Sequence, residues 1–262
     1  MLEAALRFPL ASDDRVSTLL IGGALLAVSL FASTLALLFV PFVPFGLLVS
    51  LVVFPVSLVV QGYLVRVLRG AATGERAAPS FTNWGGLLVD GLKLLFVSLV
   101  YGLVVAVPMV VLVVVGVGSF TLTGGMESGM GVETATAAAP PVTGPNAALS
   151  AGLLAGLAVV FLLSLVVSYL LPAALTNFAL QDSLSAAFDF GTLRQVVFST
   201  DYLLGVLLGY VVGGVLATVA FGFSLLLVGI PALFYAQVFT YYCFGRGFAE
   251  ARESMAPGTE RV

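Results

Sequence analysis

The stretch FPVSLVVQGYLVRVLRGAATGERAAPSFTNWGGLLVDGLK, residues 54–93, decides the fold. It starts inside an apolar segment, passes Pro55 and Gln61, and leaves that segment through Arg66 and Arg69. A short loop carries Arg76, and Phe81 and Trp84 precede a second apolar run entered past Asp90 and Lys93. Three arginines, a lysine and a tryptophan between two hydrophobic runs mark a loop held on the cytoplasmic side of a membrane. Positive charge is retained there, and Trp prefers the headgroup level. The remaining spans are counted outward from this loop.

Composition agrees. Of 262 residues, 60% are hydrophobic and 9% charged, against about 25% charged in a soluble domain. Ten basic and thirteen acidic residues give a formal charge of −3, too little positive charge for a nucleic-acid partner. There is no histidine, which removes the commonest general base and metal ligand. A single Cys243 supports neither an internal disulfide nor a thiolate cluster and reads as a small packing residue. No catalytic set, cofactor or metal site is expected.

Six transmembrane helices are predicted, at about 16–40, 45–66, 88–116, 148–175, 202–221 and 224–245, in an all-α bundle over residues 1–250 with a cytoplasmic tail at 251–262. The run 16–40 is longer than the core of a cleavable signal and lacks its cationic start, so it reads as a retained span. The apolar block 202–244 would be about 65 Å long as one helix, twice the hydrocarbon thickness, and is divided in two. Its turn is expected at 221–224, with 229–231 as the alternative. Residues 117–147, rich in Gly, Ala, Thr and Pro and devoid of Lys and Arg, read as a disordered external loop. With this count all ten Lys and Arg and both termini lie in the cytoplasm.

The spans read as three hairpins, each after a cytoplasmic lead-in that includes amphipathic 2–12 and 184–198. Asp14, Asp90 and Asp201 open the odd spans as interfacial caps, with Trp84 and Lys93 as anchors. In the even spans an amide follows a proline: Gln61 after Pro55, Asn177 after Pro172 and Gln237 after Pro231. An unpartnered amide in hydrocarbon costs about 1–3 kcal/mol, so these three are expected to face inward. They are the candidate binding residues, around a polar vestibule or bonded singly to neighbouring helices.

Four motifs together resemble the archaeal multi-pass membrane family filed as domain of unknown function 4013. They are MLEAALRFPLASDDR (1–15), GYLVRVLRG (62–70), FTNWGGLLVDGLK (81–93) and AFDFGTLRQVVFSTDYLLG (187–205). The resemblance spans residues 1–250, apart from the 117–147 insert. It implies a helical protein of the cytoplasmic membrane and no reaction.

Gly205, Gly209 and Gly213, and Gly152 with Gly156, recur at four-residue spacing and are candidate helix contacts, because small residues let backbones approach. Gly156 and Gly213 are expected to meet near the midplane. Ser164, Ser168, Thr218 and Thr240 read as bonding to carbonyls one turn back. Asp90 and Lys93, three apart, are placed to pair.

The reading is a non-enzymatic membrane scaffold or lipid-interacting module, with a channel or facilitator for a neutral or weakly polar solute as the alternative. An enzyme would have to rest on interfacial Asp14, Asp90, Asp182 or Asp189. Membrane lipids are the expected partner, with a second copy of the chain or another membrane protein as the further option. Protease added outside intact cells should therefore cut only within 117–147; cleavage at 67–86 or 176–200 would overturn the topology.

Overall fold

The computed structural model describes residues 1–12, 14–38, 43–124, 145–224 and 228–255. They form eight α-helices: α1 Leu2–Arg7, α2 Arg15–Leu38, α3 Val43–Thr73, α4 Trp84–Gly124, α5 Pro145–Gln181, α6 Phe190–Val197, α7 Thr200–Gly222 and α8 Gly229–Met255. Two 3₁₀ turns, Phe8–Leu10 and Leu184–Phe188, complete the regular structure. In hydrocarbon every backbone amide must be bonded within its own segment, so long apolar runs become helices despite their many β-branched residues.

Five of the helices are long and apolar enough to cross a membrane: Arg15–Leu35, Val53–Thr73, Trp84–Gly118, Ala151–Gln181 and Thr200–Gly222. This is a multi-pass membrane protein. The sixth expected span corresponds to α8, whose last turns carry Arg246, Glu250, Arg252 and Glu253, and which is not among the five.

The helices overrun the expected boundaries wherever apolarity alone set them. Span two was expected to end at 66, yet α3 continues to Thr73 and stops at Gly74, whose φ is +81°. There Gly74 N donates to Ala71 O and Glu75 N to Gly70 O, the paired bonds that close a helix on a C-terminal glycine. α4 begins at Trp84 and reaches Gly124, and α5 starts at Pro145. The edges of the expected 117–147 loop are thus helical, and 125–144 lies outside the described residues. Likewise α8 takes up 251–255 of the expected tail, and 256–262 lies outside the described residues. Pro55, Pro108 and Pro172 lie inside helices. Pro231 falls in the first turn of α8, where a missing N–H leaves no helical bond unmade, so the third proline of the expected repeat makes no mid-helix kink.

The chain divides into two compact units, Met1–Ser98 with Tyr169–Val262, and Leu99–Ser168. In the larger, α8 is central, packing against α7, α3, α2, α1 and α6, with Phe234, Val238, Phe239, Cys243 and Phe248 buried. The N-terminal turn docks on it: Tyr235 Oη donates to Leu6 O at 2.7 Å, and the Phe8 and Tyr242 rings lie 4.4 Å apart. Tyr63 of α3 stacks on Phe81 at 4.3 Å and meets Phe234 at 5.3 Å. Phe81 is itself buried.

Several crossings in this unit are backbone to backbone. A Cβ on Gly62 of α3 would run into the Leu87 carbonyl of α4, and one on Gly91 into the Leu58 carbonyl of α3. In α7 and α8, a Cβ on Gly205 would stand 2.7 Å from Gly247 Cα, and one on Gly245 would stand 2.7 Å from Leu68 O of α3. The smaller unit holds the later part of α4 and the earlier part of α5, with Val107, Val110, Val114, Leu154, Phe161 and Leu165 exposed.

Gly62→Ala should therefore lower stability in detergent by about 1–3 kcal/mol, since the added methyl forces two backbones apart. Gly214→Ala, with nothing within 4 Å of the added carbon, should be neutral or raise it by up to about 1 kcal/mol through helix propensity. Thermal unfolding of the two variants checks the contrast; equal behaviour would remove the α3–α4 contact from the account.

Candidate functional site

A polar grouping in the larger unit joins the ends of α3, α4 and α5. It is built on α3, where Arg66 and Arg69 lie three apart and so leave the helix on neighbouring flanks. Arg66 donates from Nη1 to Thr82 O at 2.5 Å and from Nη2 to Asn83 O at 3.1 Å, and its Nε stands 4.0 Å from Asp90 Oδ2. One guanidinium thus ties α3 to the chain entering α4.

Arg69 reaches the end of α5. Its Nε donates to Ala179 O at 2.7 Å, one of the carbonyls in the last turn that lack an intrahelical partner, at the negative end of the helix dipole. Its Nη2 lies 3.8 Å from Asp182 Oδ1. Lys93 of α4 donates to that same oxygen at 2.8 Å. One carboxylate therefore receives cations from two helices at the exit of a third.

Asp182 has φ +50°, the left-handed conformation that ends a helix and that Asp and Asn tolerate better than other side chains. The hydrogen bond from Lys93 holds its carboxyl below the usual carboxylate range; the charges of Lys93 and Arg69 add to this, and partial desolvation opposes it. Behind it, Asn177 is fully buried. Its Nδ2 donates to Ala186 O at 2.8 Å, and its Oδ1 accepts from Gln181 Nε2 at 2.9 Å.

Several expected residues stand elsewhere than their spacing suggested. Lys93 bonds Asp182, not Asp90, because α5 ends within its reach. Asp90 lies inside α4 and caps nothing; Asn83, with φ +53°, accepts Gly86 N on Oδ1 at 3.2 Å and stands before the first turn. Asp201 sits in the first turn of α7, and the cap is Ser199, whose hydroxyl accepts Asp201 N. Asp14 immediately precedes α2 and accepts Thr18 N on its carbonyl at 2.8 Å. Trp84 opens α4, about half exposed, 6.0 Å from the Phe81 ring.

Gly205, Gly209 and Gly213 all face α8, toward Gly247, Phe244 and Thr240 respectively. Within the smaller unit Gly156 meets Leu112 of α4, and Gly152 has nothing within 4 Å. Ser164, Ser168, Thr218 and Thr240 each donate to a carbonyl three or four residues back. Of the three amides, Asn177 is committed to its own connection and Gln61 is half-buried on α3. Gln237 lines a groove of about 210 Å³ between α7 and α8, with Gly209, Tyr210, Gly213, Thr240 and Tyr241 among its walls. The walls of this groove come from α7 and α8.

The Arg69–Lys93–Asp182 grouping was missed because its members lie far apart in sequence. The nearest signal was the pair of cations three apart on one helix facing a carboxylate and a cation three apart on the next.

This arrangement lies wholly within a recognisable sequence family. The profile described as "Protein of unknown function (DUF4013)" matches residues 45–229, more than two-thirds of the chain. The chain belongs to this family. The match is narrower than the resemblance over 1–250: α1 and α2, with the 1–15 motif, precede it, and almost all of α8 follows it. No curated protein and no solved structure matches the chain.

Asp182→Asn isolates the charge, because Asn keeps the left-handed backbone comfortable. A carboxyl with a lowered folded pKa stabilises above its unfolded value, 3.8, and ceases to do so as pH falls through the lower folded value. At pH 7 the variant should be less stable by up to about 1 kcal/mol, as expected of a solvent-accessible pair. The gap should close as pH drops below about 4. Thermal unfolding across pH checks it; a gap independent of pH would assign Asp182 a backbone role alone.

Proposed function

We propose that the protein is a non-enzymatic membrane scaffold or lipid-interacting module of the cell membrane. Six helices cross as three hairpins, α2–α3, α4–α5 and α7–α8, with both termini and the connections 67–86 and 176–200 in the cytoplasm. The observation that carries this reading is the use made of the charged side chains where the helices end. Arg66, Arg69, Lys93 and Asp182 are engaged with one another, with Asp90 and with backbone carbonyls. They join helix ends, which is the use a structural set makes of its charges.

Counting α8 as a span is supported by its 27 residues, about 40 Å of helix. Its modest apolarity suits a helix whose neighbours are other helices, since only a lipid-facing surface has to be hydrophobic. The clustering of Lys and Arg on one side of this topology agrees with the retention of positive charge in the cytoplasm.

One feature favours the second reading, a facilitator for a neutral solute: the Gln237 groove offers an amide and the Thr240 hydroxyl between two helices. Proteoliposome swelling with small polyols separates the two. The scaffold reading expects swelling equal to that of empty liposomes and phospholipid retained through purification. Swelling above that level, abolished by Gln237→Leu, would overturn it in favour of transport.

A further inference from the structure

Helix α6 is short and two-faced. Leu193 and Val196 are buried, which fixes its rotation, while Phe190, Arg194 and Phe198, at i, i+4 and i+8, fall along the opposite side. Phe190 is 64% exposed and Phe198 83%, and Arg194 is exposed between them. A cleft of about 490 Å³ opens among Gly191, Arg194, Gln195 and Phe198.

The helix is held firmly at both ends. Asp189 accepts Gly191 N, Thr192 N and the Thr192 hydroxyl, the last at 2.6 Å. These bonds, the Thr192 hydroxyl foremost, hold its carboxyl below the usual range and occupy it. At the other end Tyr169 of α5 donates to Val197 O at 2.7 Å, and Tyr202 of α7 donates to Tyr169 O. Only Phe198 and Ser199 separate α6 from α7, one of the helices apolar enough to span. The exposed stripe therefore sits where α7 enters the bilayer.

We propose that this face of α6 binds the phosphate of an anionic phospholipid, in the leaflet at the α6 end of α7; the inference rests on the lipid-interacting reading above. Charge decides the occupant. Arg194 forms no ion pair among the described residues, and the nearest acid on its own helix end, Asp189, is already bonded. A cation flanked by two exposed aromatic rings matches the layer where headgroup phosphates overlie the first acyl carbons. A bulky ring left in water gains nothing, whereas at this depth it is buried without leaving the helix.

Three arms test the assignment in nanodiscs. In a Trp84→Phe background, Phe198→Trp becomes the sole tryptophan, and phospholipids brominated near the headgroup should quench it more than those brominated deep in the chains. Absence of quenching in folded, incorporated protein would place the stripe against water or another protein and overturn the proposal. In discs of mixed phosphatidylglycerol and phosphatidylcholine, native mass spectrometry should show retained phosphatidylglycerol falling about fivefold on Arg194→Gln, the worth of one cation at an anionic surface. Arg194→Lys should keep most of the retention, and Arg76→Gln, in the exposed loop, should leave it unchanged. Equal loss with Arg76→Gln, or displacement of the lipid by millimolar inorganic phosphate, would reject a lipid site at α6. Polyol swelling reports separately on the scaffold reading, so the two can fail independently.

Discussion

At three crossings the helices of the larger unit touch through their backbones, and the rest of the structure is arranged around those contacts. Gly205 meets Gly247, Gly245 meets Leu68, and Gly62 meets Gly91, so that α7, α8, α3 and α4 form a chain of direct contacts. Between helices in lipid there is no gain from removing apolar surface from water, and association depends on close van der Waals contact. A single methyl at such a place has nowhere to go.

The polar ends follow from this closeness. Once α3 and α4 are in contact, Arg66 lies beside the carbonyls that precede α4, and Lys93 projects to the same end as Arg69. The end of α5 supplies what two neighbouring cations need, a carbonyl at Ala179 and a carboxylate at Asp182. Together they join the helix ends, Arg69 through Nε to Ala179 O and Lys93 through Nζ to Asp182.

What the sequence made legible follows the physics of each signal. Apolar runs located the long helices, because hydrophobicity is recorded residue by residue. Helix ends were less visible where a helix continues into polar sequence, although Gly74 carried the stop for α3 in plain view. The four-residue glycine repeat found one side of the α7–α8 contact, while Gly62, Gly91, Gly245 and Gly247 stand outside such a repeat and gave no pattern. Asp90 and Lys93 looked like a pair because spacing reports only neighbours on one helix; the actual partner of Lys93 comes from another. The three amides shared a position relative to proline, yet only tertiary packing decides which way each one looks, and Asn177 turned to its own connection.

The central place of α8 has a consequence for how the molecule is made. Leu6 and Tyr235 are 229 positions apart and joined by a hydrogen bond, and Phe8 packs on Tyr242 of the same late segment. At about 5–20 residues per second, the ribosome takes roughly ten to fifty seconds to supply the surface on which the first turn rests. Until then Leu6 O lacks Tyr235, Phe8 lacks Tyr242, and α7 lacks the neighbour its glycines fit. The contacts around α8, with α7, α3, α2 and the first turn alike, can form only after that segment has been made.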